Sequence, residues 1–348
     1  MKWFLASLFF IVIVFRVGDV FAIQNFPTYL TDDPDFQRRT LGPLCYSMDL
    51  LEENLPCNPA FLAREAESKF EINGALGQNV TQIQDLRAIF DGHVSEAALR
   101  DLFANHNELV VEGALKSTYK TRLWGVSITP WRAYSYSILR NSAYPILDVQ
   151  AVQERSVNLA FASYMENDFS LGAQFRFLRR EIINTQVAMF DLLAEEGRSL
   201  LDSAPQNAVY FEPGVFWKPE ESPWSASFIL TNLAYTSEPV VGYTSSPQGQ
   251  LGGAWTSKLE TGYVQAGLGT TLGEKPDVWE KHVRAGVVWG YGITEWAASA
   301  SRISQSAGLM LRFANGKLGL NYNRNEIWIG DYKEAVFQNF LATFGFEL

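Results

Sequence analysis

Apolar side chains recur at every second position through long stretches of this chain. Phe169, Leu171, Ala173, Phe175 and Phe177 alternate with Ser170, Gly172, Gln174 and Arg176. Val283, Ala285, Val287 and Trp289 alternate with His282, Arg284, Gly286 and Val288. Ala307, Leu309, Leu311 and Phe313 alternate with Ser306, Gly308, Met310 and Arg312, and Leu318, Leu320 and Tyr322 with Lys317, Gly319 and Asn321. A period of two places one set on each face of a β-strand, so these runs specify sheet rather than helix. The pattern leaves one choice open. In a soluble sandwich the apolar face turns inward; in a membrane barrel it faces lipid and the polar face lines the lumen.

The N-terminus bears on that choice. Lys2 precedes an uncharged, mostly apolar run from Phe4 to Phe15, and Val20-Phe21-Ala22 offers a cleavage site with a small last residue. This is the layout of a secretory signal peptide over residues 1–22, with the mature chain starting at Ile23. No later stretch approaches the ~20 apolar residues of a spanning helix. Aromatic residues make up 14% of the chain, including 10 Trp and 14 Tyr, and there are 26 Gly. Alternating strands with Trp and Tyr gathered at two interfaces produce that mixture at modest mean hydropathy.

Fourteen strands are expected near 68–77, 107–119, 122–140, 147–165, 168–180, 207–218, 224–235, 248–257, 260–272, 281–290, 292–301, 303–314, 316–323 and 336–348; a different division of 292–314 would give twelve. Long connections at 78–106, 181–206, 236–247 and 324–335 alternate with tight ones near Lys120-Thr121, Glu166-Asn167, Lys258-Leu259 and Asn315. Short turns at one end and long loops at the other are the pattern of an outer-membrane barrel. It places both termini in the periplasm. Two of the long loops carry helical signals, one capped by Ser95 and one by Thr185. Phe344, Phe346 and Leu348 share one face of the last strand, the spacing read by barrel-assembly machinery, although a terminal aromatic is replaced by leucine.

Residues 23–67 differ from the rest. They hold Pro27, Pro34, Pro43, Pro56 and Pro59 and both cysteines, with a short helix expected around Ser47 to Glu53. The segment reads as a piece lying outside the sheet, ahead of a barrel at 68–348. An exported chain folds in an oxidising compartment, so Cys45 and Cys57 are expected to form a disulfide.

The chemistry of the sequence is sparse. The three histidines, His93, His106 and His282, belong to no Gly-x-Ser-x-Gly or His-Glu-x-x-His pattern, and two cysteines without a nearby His make a poor zinc site. Neither catalysis, nor a metal, nor a cofactor is expected. Cleavage after Ala22 would remove Lys2, Arg16 and Asp19 and move the net charge from −10 to −11, which disfavours nucleic-acid partners. Inward positions carry Glu112, Lys116, Arg176, Lys218, His282, Arg284, Arg312 and Lys317. Charges of both signs in a narrow lumen are expected to pair into a network.

The sharpest motif is Asn58-Pro59-Ala60, followed by Phe61-Leu62-Ala63, just ahead of the first strand. Here the chain resembles the FadL/TraF-like outer-membrane superfamily of long-chain fatty-acid transporter relatives. The usual small residue after the motif is Phe61. The resemblance implies a fourteen-strand barrel plugged by an N-terminal hatch at 23–67. It also implies a kinked third strand opening a lateral gap, for which Pro130 is the candidate, since a mid-strand proline removes a ladder hydrogen bond. The function implied is a channel or transporter that passes small hydrophobic molecules and releases them sideways through the wall. The other reading is a non-transporting scaffold for a secretion or conjugation-type envelope complex. The partners would then be outer-membrane lipid, the assembly machinery, and a hydrophobic small molecule or an envelope protein.

Overall fold

The computed structural model describes residues 34–49, 54–64, 68–78, 108–140, 146–166, 168–188, 203–236, 247–273, 283–329 and 332–348. Its strands are β1 (Lys69–Gly77), β2 (Glu108–Lys120), β3 (Trp124–Arg140), β4 (Ile146–Tyr164), β5 (Phe169–Ala188), β6 (Ala204–Trp217), β7 (Trp224–Thr231), β8 (Leu233–Thr236), β9 (Gln248–Leu259) and β10 (Gly262–Leu272). They continue as β11 (Val283–Tyr291), β12 (Thr294–Ala300), β13 (Ser304–Arg312), β14 (Gly316–Ile329) and β15 (Tyr332–Glu347). β7 and β8 are two halves of one stave, split at Asn232, whose φ of 60° breaks the extended run. The fifteen segments therefore fill fourteen positions. Each stave pairs antiparallel with the next, and β1 pairs with β15, so the sheet closes into a barrel without a free edge.

The burial pattern shows which way the alternation points. Phe161, Trp296, Leu320 and Phe346 are 50%, 50%, 55% and 61% exposed on the outer face, while Asn158, Glu295, Asn321 and Thr343 are buried inside. Such an apolar outer wall needs lipid around it. Trp124, Tyr164, Phe169, Trp217, Trp224, Tyr291 and Phe313 ring the end with the tight turns, where an aromatic belt meets the membrane interface. No helix among the described residues is long and apolar enough to cross a membrane; the barrel crosses with strands.

Three sequence expectations change. β5 runs to Ala188, paired throughout with β4, so Thr185 lies in a strand and caps no helix. β4 supplies a partner for every residue of that extension, and a ladder outweighs a local cap signal. β14 and β15 extend toward each other to Ile329 and Tyr332, which leaves a hairpin where a long loop was expected. The hatch helix is α1 (Phe36–Leu41), followed by the 3₁₀ turns η1 (Gly42–Tyr46) and η2 (Pro59–Arg64); Ser47 closes η1 rather than opening a helix, and positions 50–53 of the helix expected there lie outside the described residues. Pro43 at the start of η1 fixes φ where no N–H partner is needed. The Ser95 signal, His93, His106 and His282 lie outside the described residues.

Candidate functional site: the hatch in the lumen and the bulge in the wall

The N-terminal segment fills the lumen as a plug. Phe36, Leu41, Leu44, Cys45, Met48 and Cys57 form one apolar cluster with Ala254, Val288, Ala297 and Met310 of the wall. The wall makes room by omitting side chains. A Cβ on Gly308 or Gly319 would come within 2.6 or 2.8 Å of the Phe36 ring, one on Gly286 within 2.7 Å of Leu44, and one on Gly267 within 2.8 Å of the Met48 sulfur. The lumen-side glycines of the alternation are thus a cradle for the hatch. Cys45 and Cys57 are disulfide-bonded, with Cα atoms 5.7 Å apart, tying η1 to the segment ahead of η2.

The Asn58-Pro59-Ala60 motif sits against β5 and β6. Asn58 is fully buried. Its Oδ1 accepts from the Ala60 N–H at 3.0 Å, closing a local turn, and its Nδ2 donates to the carbonyls of Tyr46 (3.2 Å) and Val215 (3.3 Å). Gly172 and Gly214 are cross-strand partners beneath it. A Cβ on Gly172 would lie 2.3 Å from the Ala60 nitrogen, and one on Gly214 2.3 Å from the Asn58 Oδ1. Phe61 packs edge-on against Phe216 at 4.6 Å, and Arg64 donates to the Asp168 and Lys218 carbonyls at the turn end. The motif therefore fastens the hatch to β5 and β6, and does not face Pro130 on β3.

Charge fastens the other side. Asp35 pairs with Lys116 (2.9 Å), Arg39 with Glu112, and Asp49 with Lys218 (2.7 Å), each joining hatch to wall. Glu112 also meets Arg132 (3.4 Å), which reaches Glu154 at 2.7 Å and lies over the Tyr134 ring. Removing one member of such a buried chain costs roughly 3–5 kcal/mol, because its partner is left charged and dry. Lys317 pairs with Glu71, Arg176 with Glu212, and Arg312 with Glu295. Arg284 donates to the hydroxyls of Ser299, Ser304 and Ser306 and lies under Gly42, whose φ of +57° is a backbone conformation that residues with a Cβ rarely adopt. Asp35, Arg39, Asp49, Arg132 and Glu154 escaped sequence reasoning. Arg132 and Glu154 are signalled only by falling on matching positions of neighbouring strands, and the hatch charges had no pattern to flag them.

Pro130 occupies a β-bulge. Thr129 pairs with Ser156 and Arg132 with Glu154, so three steps along β3 match two along β4. The same residue of slack appears against β2, between the pairs Ser117–Ile128 and Leu115–Trp131. β3 stays continuous on both sides; the ladder is shifted rather than parted. A small void of about 20 Å³ lies inside this level, lined by Asp35, Phe36, Ala114, Lys116 and Thr129. A groove of about 500 Å³ lies outside it, lined by Thr129, Pro130, Val157, Phe177 and Val209. Thr129 lines both, and its buried hydroxyl has no partner among the described residues. Among those residues, no group of three His, Cys, Asp or Glu side chains is placed to hold a metal ion.

No family model and no curated protein matches the sequence. Solved structures do match. The CymD monoaromatic hydrocarbon channel aligns with a TM-score of 0.53 at 8% identity, over 90% of this chain and 98% of its own. The toluene transporter TbuX of Ralstonia pickettii aligns with 0.53 at 9% identity, over 94% and 99%. The fold is that of a FadL-like outer-membrane barrel. At such identities the likeness is of backbone path alone. A FadL-like barrel can keep its path while nearly every side chain differs, because closure depends on pairing and alternation.

Proposed function

We propose that this FadL-like barrel is an outer-membrane channel for small hydrophobic molecules, which leave sideways through the wall at the β3 bulge. The observation that carries this is Thr129, shared by a void beside the hatch and a groove on the lipid face, at the one described level where β3 is out of register with both neighbours. An apolar solute moving that way passes from the lumen to lipid without entering water. CymD and TbuX, which share the fold, are described as a monoaromatic hydrocarbon channel and a toluene transporter, and this chain's lipid-facing groove suits cargo of that class. The route needs the hatch contacts around Asp35 and Phe36 to loosen transiently, since the void there holds no more than a water-sized guest. Both termini and the tight turns lie in the periplasm on this reading.

Replacing Pro130 with Val restores a ladder donor and stiffens the bulge. Uptake of a labelled aromatic hydrocarbon by expressing cells should fall severalfold at unchanged barrel abundance. Uptake equal in Pro130→Val and wild type would reject the lateral route. No uptake above cells lacking the barrel, for aromatic hydrocarbons and fatty acids alike, would favour the scaffold reading.

A further inference from the structure

The outer face of the barrel carries a pair of arginines beside the groove, to which the hydrocarbon route assigns no role. Arg155 on β4 and Arg179 on β5 are direct cross-strand partners, and both point outward and are exposed. Neither has a side-chain partner among the described residues. Like charges held directly opposite each other destabilise a sheet, so a bare pair calls for a shared counter-anion. Glu181, on the same face two residues beyond Arg179, offers one carboxylate for two guanidinium groups. The local excess stays positive.

Their height matters. Arg155 is nine residues from Tyr164, at the tight-turn end of β4. At about 3.4 Å per residue and a tilt of about 40°, that is roughly 23 Å above the aromatic belt, close to the ~25 Å height of a barrel's apolar band. Below the pair the outer wall is apolar: Val157 and Phe161 on β4, Phe175 and Phe177 on β5, Val209 and Phe211 on β6. Above it the outward positions turn to Gln153 and Glu181. The arginines therefore mark the far boundary of the apolar band. They also line the 500 Å³ groove, together with Pro130, Val157, Phe177 and Val209.

A cationic rim over an apolar groove at a membrane boundary fits an amphiphile with an anionic head and acyl chains below it. We propose that Arg155 and Arg179 bind the phosphate of an outer-leaflet glycolipid, whose chains lie in the groove beside Pro130. Guanidinium pairs suit phosphate because each offers two parallel N–H donors to its oxygens. The phosphate would cancel the Arg–Arg repulsion. The assignment rests on the tight-turn end facing the periplasm, and it holds whether or not the channel conducts.

The test uses the full mature barrel in detergent micelles, titrated with diphosphorylated lipid A, dephosphorylated lipid A or palmitate, and read by native mass spectrometry. The phosphorylated lipid should be retained and the dephosphorylated form not. Arg155→Gln/Arg179→Gln should weaken retention by roughly tenfold or more, the loss expected for charge-assisted hydrogen bonds. Arg302→Gln, an exposed arginine on the β12–β13 connection, serves as the charge control and should retain lipid like wild type. Equal retention of both lipid A forms, or retention unaffected by the double substitution, would overturn the proposal. Tighter retention of palmitate than of diphosphorylated lipid A would overturn it too, and would assign the arginines to an anionic cargo. Hydrocarbon uptake is not read in this experiment, so its outcome is separate from that of the channel reading.

Discussion

At the scale of single residues, the hatch is positioned by what the wall lacks. Gly172 and Gly214 face each other under Asn58-Pro59-Ala60, and the atoms a new Cβ would meet on Gly172 belong to hatch backbone, which cannot rotate away. Gly172→Val should therefore leave strand pairing intact while pushing the motif off the wall. The expected result is a barrel of normal abundance whose hatch is cut at Arg38 or Arg39 by trypsin at concentrations that leave wild type whole. Both arginines are buried in the native protein, so cleavage there reports hatch displacement. A hatch as resistant as wild type would show that η2 tolerates the shift. Asn58 illustrates what was and was not legible at this scale. Its place in a turn was readable from Asn-Pro; its bond to the Val215 carbonyl, across a sequence separation of 157 residues, was not.

At the scale of elements, the strands follow from alternation, while the hatch depends on its cross-links. Cys45–Cys57 closes a loop with a separation of 12 residues, worth about 3 kcal/mol on the chain-entropy account. Neither cysteine lies in a strand, so the barrel should assemble without the bond. Cys45→Ser/Cys57→Ser is expected to reach the membrane in normal amount and to lose hatch protection against trypsin by severalfold. A double variant that fails to assemble would place the disulfide in barrel folding instead. Elements also showed where local signals lose. Thr185 has the side chain of a helix cap, yet β5 continues past it because β4 offers a full set of ladder partners. The extension of β14 and β15 has the same cause, with one bulge at Ile327–Trp328 absorbing the mismatch.

At the scale of the whole molecule, closure is the dominant fact. A barrel whose every stave is paired has no edge from which to unzip, so unfolding in detergent requires heat. Unheated protein should migrate faster on a denaturing gel than boiled protein, and the shift should survive reduction of the disulfide, because β1–β15 pairing rather than Cys45–Cys57 closes the wall. Identical migration of heated and unheated samples of the membrane-extracted protein would count against a closed barrel.

Period-two alternation, the apolar N-terminal run and the spacing of turns pointed to a membrane barrel of twelve or fourteen staves with a separate cysteine-bearing segment ahead of it; the pairing of β11 to β14 decided for fourteen. Those features are local: each strand carries its own inside and outside, and each tight turn its own break in the pattern. The tertiary structure decided where the hatch sits and what holds it. Phe36 meets glycines near 308 and 319, Arg39 meets Glu112, and Asn58 meets the wall at 214 and 215. Such contacts join residues far apart in the chain, and only closure of the sheet sets which staves look across the lumen at which part of the plug. The same holds for Arg155 and Arg179. Each is an unremarkable charge in its own strand, and register alone makes them a pair.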